Sequence, residues 1–224
     1  MASVNDNKYI LDSKAPFAVA EGYKAFRSNL MFSLPDKGGK CIGFTSGARG
    51  DRKSSTAINT AISFAEFGKR VVLIDCDLRL PTVAKKLGIN SVPGLSDLIV
   101  GHTNHAEINE IIRPYKNNLD VICCGTIPKD ATGILASDRM RTLIKTLKNA
   151  YDYVIMDFPL VTPVTDAVLL ADSVDGYVIV VHHEKSENSE VASVIRTLRM
   201  ADANILGFVY TASPLVKEKY YSYK

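Results

Sequence analysis

Hydrophobic positions along this chain come in dense blocks, not in alternation. Six short runs are near-continuous Val, Ile and Leu: Lys40–Thr45, Arg70–Asp75, Leu119–Cys124, Asp152–Asp157, Gly176–Val181 and Asn204–Tyr210. Strands buried on both faces read this way, because a parallel sheet carries helices on each side. Between the runs, helical patterns are predicted over Ser54–Phe67, Leu95–Val100, Ser137–Ala150, Asp166–Ala171 and Ser186–Ala201. An earlier helix is predicted over Ala20–Leu34, where Tyr23, Phe26, Leu30 and Leu34 make one apolar stripe. Glu21, Lys24 and Arg27 step by three along another face of it, and Pro35–Gly39 breaks it. The pattern predicts one doubly wound, mostly parallel α/β sheet flanked by helices. That domain occupies residues 16–215, between a loose polar arm (1–15) and a short tail (216–224).

Composition narrows the picture only a little. The chain has 224 residues, 46% hydrophobic and 23% charged, which is ordinary for a globular domain. A net charge of +3 is too mild to call for nucleic acid, so no such partner is expected. Cys41, Cys76, Cys123 and Cys124 form no C-x-x-C pair, which fits small buried hydrophobes in a reducing compartment better than zinc or redox chemistry. Cys123 and Cys124 are neighbours in a predicted strand and should point to opposite faces, and the same geometry argues against metal binding by His182 and His183. No apolar run approaches the ~20 residues that cross a bilayer, so any membrane association would need a partner.

The candidate chemistry gathers at the carboxyl ends of three strands, where ligands bind in such sheets. Phe44–Thr56 reads FTSGARGDRKSST, a strand, a glycine loop and a helix start. Gly47, Lys53 and Ser54 occupy the first, seventh and eighth places of G-x-x-x-x-G-K-[ST], and Arg52 stands at the sixth, normally glycine. The loop and its flank, Gly47, Ala48, Arg49, Gly50, Asp51, Arg52, Lys53, Ser54 and Ser55, would cradle the phosphates of ATP or ADP. Lys53 would supply the cation, and the Ser54 hydroxyl a ligand for Mg²⁺. Asp157 ends a hydrophobic strand and is the second candidate for the metal. Asp75 and Asp77, spaced i, i+2 on an extended segment, would share a face, one ordering metal waters and the other accepting a proton. Arg79 would lie on that face and pair with them. The bland alternative is a polar turn capping the sheet beside an unliganded helix start.

The chain resembles the bacterial protein-tyrosine kinases of capsular and exopolysaccharide synthesis, which share a P-loop NTPase fold of the ParA/MinD type. The likeness rests on the loop with VVLIDCDLRLP (Val71–Pro81), on Asp152–Ala167 (DYVIMDFP through VTDA) and on GLSDLIVG (Gly94–Gly101). It extends to Glu21, Lys24 and Arg27, matching the family's E-x-x-R-x-x-R with lysine for the first arginine, and to the tail KEKYYSYK. The resemblance implies that Lys53 and the loop hold ATP, that Ser54, Asp75 and Asp157 organise Mg²⁺, and that Asp77 is the base toward a tyrosine hydroxyl. It implies a homo-oligomeric ring built through Glu21, Lys24 and Arg27, with Tyr220, Tyr221 and Tyr223 phosphorylated in a neighbouring subunit's site. It implies, finally, a cytoplasmic protein brought to the inner face of the membrane by the cytoplasmic tail of an adaptor of the polysaccharide co-polymerase type.

Several positions depart from the family pattern. Arg52 replaces a glycine needed where φ is positive or where backbone meets phosphate closely. Arg49 stands for a usual proline, Phe158 and Leu160 alter a Thr-Pro-Pro, and Pro128–Ser137 is altered too. Thr211-Ala212-Ser213 lacks the usual Asn-Lys. These changes predict weakened ATP binding or catalysis. Two rival functions follow: a catalytically weak or dead binding module of the same polysaccharide machinery, and a ParA/MinD-type positioning ATPase. The second lacks its signature lysine, since Ala48 holds that place.

Overall fold

A computed structural model describes residues 10–34, 38–101, 107–161 and 166–212 of the chain. The apolar runs form β1 (Lys40–Ser46), β2 (Val71–Asp75), β4 (Leu119–Ile122), β5 (Tyr153–Asp157), β6 (Gly176–His182) and β7 (Ile205–Thr211). A seventh strand, β3 (Ile112–Lys116), was not predicted. The sheet order is β3-β4-β2-β5-β1-β6-β7, parallel throughout except for β3, which runs antiparallel to β4. β3 is short, has no buried position and contains Pro114, as suits an edge strand.

Helix α1 (Phe17–Ser33) precedes β1, and α2 (Lys53–Glu66) follows it. Short helices α3 (Val83–Leu87), α4 (Leu95–Val100), α5 (Ile108–Ile111) and α6 (Ala131–Ala136) decorate the connections. Helices α7 (Asp138–Ala150) and α8 (Asn188–Met200) lie where the apolar period places them, and Asp166–Leu170 is a 3₁₀ helix. Two cores result, one on each face of the sheet. One packs β-strand side chains against α1 and α2; the other packs them against α4, α6, α7 and α8. Cys123 and Cys124 fall into opposite cores, and all four cysteines are buried and unpaired.

Helix α2 is buried almost all round, because the sheet lies on one side and α1 on the other. Its many Ser, Ala and Thr residues keep it thin enough for that sandwich. Arg27 fastens α1 to it: the guanidinium donates to the Ser63 carbonyl at 2.8 Å and stacks 4.3 Å from the Phe67 ring. Of the arm expected to be loose, residues 1–9 lie outside the described residues. Leu11, by contrast, is buried, and its N–H donates to Asn59 Oδ1 at 2.8 Å. Among the described residues no helix is long and apolar enough to cross a membrane.

Candidate active site

The phosphate-loop candidate joins β1 to α2. At Gly47 an added Cβ would lie 3.1 Å from Glu190 Cβ on α8, so packing alone favours glycine. Arg52 has φ 65° and ψ 25°, the left-handed conformation that the motif's glycine adopts without strain. An L-residue held there costs roughly 1–2 kcal/mol. The fold therefore keeps the loop's shape and places the strain on Arg52. Asp51, only 1% exposed, braces the loop from inside. Its Oδ2 accepts the Ala48 N–H at 3.1 Å, its Oδ1 accepts the Ser186 hydroxyl at 2.8 Å, and its carbonyl accepts the Thr211 hydroxyl at 2.9 Å. In the sequence Asp51 is marked only as a loop member; its two distant partners, Ser186 and Thr211, are 135 and 160 residues away, beyond any local signal.

Strand register brings the carboxylates together. Asp75 and Asp157 are direct partners in the β2–β5 ladder and so share a face, the one that α2 covers. Lys53, at the start of α2, sends its Nζ to 2.6 Å from Asp157 Oδ1 and 3.6 Å from Asp77 Oδ2. The Ser54 hydroxyl lies 3.5 Å from the same Nζ. Burial alone would discharge Lys53, but attraction to Asp157 and Asp77 outweighs it and raises its pKa. Burial pushes Asp75 up to about 8, reinforced by Asp157 and opposed by Lys53 and the Val83 N–H. Burial raises Asp157 as well, against the pull of Lys53. One ammonium thus faces three carboxylates. Asp157 Oδ2 is buried with no hydrogen-bond partner.

That donor set has the chemistry of a hard divalent cation: a hydroxyl, a carboxylate oxygen left unsatisfied and excess negative charge. Among the described residues no group of three or more His, Cys, Asp or Glu could hold a metal ion. Mg²⁺ in nucleotide sites is held by one or two protein oxygens together with substrate phosphates and waters, and the residues present fit that mode.

Asp75 does more structural work than the sequence suggests. Its two oxygens accept the N–H groups of Asp77 (3.2 Å) and Val83 (3.1 Å), folding the segment that presents Asp77 at the mouth of the cluster. The expected pairing of Arg79 with these aspartates is not found. β2 ends at Asp75, and the chain then turns, with the Leu80 N–H donating to Asp77 Oδ1 at 3.1 Å, so strand parity does not reach residue 79. Arg79 instead grips Asp166 with two bonds, 2.6 and 3.1 Å, and donates to the Thr132 hydroxyl at 2.9 Å. Nothing local in the sequence marks Asp166 as that partner. Arg49 and Gly50 are exposed at the loop's rim, while Ser55 is buried in the first turn of α2. Lys24 and Glu21 pair at 2.7 Å with both side chains reaching solvent, whereas Arg27 turns inward to α2. Tyr220, Tyr221 and Tyr223 lie outside the described residues.

Known proteins resemble this chain in sequence and in fold. Residues 39–206 match the family described as an AAA domain. The chain is 33% identical over 204 residues to the tyrosine-protein kinase YwqD of Bacillus subtilis, covering 91% of this chain and 85% of that protein. It is 32% identical over 215 residues to the putative tyrosine-protein kinase CapB of Staphylococcus aureus, covering 96% and 93%. The crystal structure of the chimerical protein CapA2B2 superposes with a TM-score of 0.82 at 32% identity, covering 90% of this chain and 87% of that one. The septum site-determining protein MinD of Pyrococcus horikoshii, complexed with Mg-ADP, superposes at 0.63 with 24% identity over 76% and 69% of the two chains, and shares the fold.

Proposed function

Because this chain belongs to the bacterial tyrosine-protein kinase family, we propose that it transfers the γ-phosphate of ATP to tyrosines of its own C-terminal tail, in a neighbouring subunit of a ring. The observation that carries the reading is the meeting of Lys53, Ser54, Asp77 and Asp157 beside a left-handed loop, with one buried carboxylate oxygen of Asp157 unsatisfied. Loop N–H groups and the α2 N-terminus bind the phosphates. Lys53 exchanges part of its contact with Asp157 for the β- and γ-phosphate oxygens. Ser54 and Asp157, with Asp75 acting through waters, would hold Mg²⁺, which supplies charge neutralisation at the transferring phosphoryl group. Asp77 is the least enclosed of the three carboxylates and lies at the mouth. It accepts the proton of the attacking tyrosine hydroxyl as the O–P bond forms and ADP departs.

Tyr220, Tyr221 and Tyr223 are the phosphoacceptors in this reading; Glu21 and Lys24 are the surface members of the subunit contact, and Arg27 serves it by fastening α1 to α2 beneath them. The partner is the cytoplasmic tail of a membrane adaptor serving capsule or exopolysaccharide synthesis, which holds the protein at the inner face of the membrane. The likeness to a protein named putative tyrosine-protein kinase CapB and to the chimerical protein CapA2B2 supports the kinase part of this reading. One observation favours a slower enzyme: Arg52 strains the loop, and Asp51 already engages the Ala48 N–H. Calorimetric titration with ADP–Mg²⁺ tests the reading. Saturable one-site binding is expected, lost in Asp157→Asn with Lys53→Met; no heat in the wild-type chain would overturn it.

A further inference from the structure

A cavity of about 720 Å³ opens beside the loop, between the segment Ile10–Pro16, helix α1, the first two turns of α2 and the end of β7. That volume lies within the range of small-molecule sites. Its lining is amphiphilic: Tyr23, Phe26 and Tyr210 provide aromatic surface, and Thr56 and Asn59 provide buried hydrogen-bonding groups. Arg52 stands at its edge, next to Ser55.

The loop chemistry fixes the direction in which a nucleotide would run. Lys53 marks the γ end, because it reaches Asp157 and Asp77. The α-phosphate end then lies over the first turn of α2. Whatever is esterified there must leave the cradle past Ser55 and Thr56, both of which line the cavity. The opposite wall is the segment before α1. Its Leu11 is pinned from two directions, donating its N–H to Asn59 Oδ1 at 2.8 Å and accepting Lys116 Nζ on its carbonyl at 3.2 Å. Lys116 belongs to the far edge strand, β3, and does not line the cavity.

Resting on the kinase reading above, we propose that Ile10–Pro16 is a strap that closes the outer wall of a nucleoside pocket, with Asn59 and Lys116 as the positioning residues that fasten it. The strap contributes to binding of the sugar and base, and nothing to binding of the phosphates. This separates it from the loop itself, which would act on both.

The test compares two probes, ADP–Mg²⁺ and inorganic tripolyphosphate–Mg²⁺, on the full chain by calorimetry. Lys116→Ala, which touches neither the cavity nor the loop, should weaken ADP by about tenfold, the order of one hydrogen bond, and leave tripolyphosphate unchanged. Lys116→Arg should restore ADP affinity. Asn59→Ala should act in the same direction. Wild-type-like ADP affinity in folded Lys116→Ala and Asn59→Ala overturns the strap, as does an equal loss for both probes. If wild-type chain binds tripolyphosphate but ADP no more tightly, the strap fails and the phosphate site stands. If it binds neither, the kinase reading fails and the strap with it.

Discussion

Arg52 carries most of the tension between this sequence and its fold. A glycine at its place would sit at φ 65° without strain, so Arg52→Gly removes a local cost of roughly 1–2 kcal/mol. It also gives back some unfolded-chain entropy, which reduces the net gain. We expect urea unfolding to shift toward higher stability by about 1 kcal/mol and autophosphorylation to rise; no rise in rate would show that Arg52 is not the brake. The left-handed requirement was legible in the sequence, because the motif names the glycine that meets it. The partner of Arg79 was not legible. Strand alternation placed Arg79 with Asp75 and Asp77, but alternation ends where β2 ends, and Asp166 lies 87 residues away in a 3₁₀ turn. The brace at Asp51 escaped for the same reason, since hydrogen bonds over 135 or 160 residues leave no periodic trace.

Among the elements, a continuous apolar run was legible whether or not the fold buried it: β7 is an edge strand with no buried position and still showed in the sequence. The six parallel strands are continuous apolar runs, and α7 shows Met140, Leu143, Ile144 and Leu147 at helical spacing because only one side of it meets the sheet. β3 gave no such signal: it is half-exposed, five residues long and contains a proline. The contact between α1 and α2 is where stability and assembly can be pulled apart. Arg27 reaches Ser63 and Phe67 within the chain, while Glu21 and Lys24 pair in solvent. Arg27→Ala should therefore lower stability by about 1–3 kcal/mol in the isolated subunit. Glu21→Ala and Lys24→Ala should leave stability within about 0.5 kcal/mol and still reduce the proposed ring to smaller species in light scattering. A ring that survives both surface substitutions would place the subunit contact elsewhere.

For the whole molecule, topology does the work that no single motif does. β1 lies between β5 and β6, and β2 lies beyond β5, so three segments distant in sequence end at one rim. The register that sets Asp75 against Asp157 puts two carboxylates side by side in a buried place, where a proton or a nearby cation must offset their charge. Lys53 supplies one cation; a metal-bound nucleotide would supply the rest. The proposed function needs that exchange of charge to end in phosphate on tyrosine. The most direct measurement is mass spectrometry of the C-terminal peptide, on the chain isolated from the cells that make it and after incubation with ATP and Mg²⁺. The control is the double variant Lys53→Met with Asp157→Asn, which removes both members of the buried pair and leaves neither charge stranded. Phosphate on Tyr220, Tyr221 or Tyr223 in the wild-type chain and none in the folded double variant is the expected result; unmodified tyrosines in the wild type, or equal phosphate in both, would contradict the account.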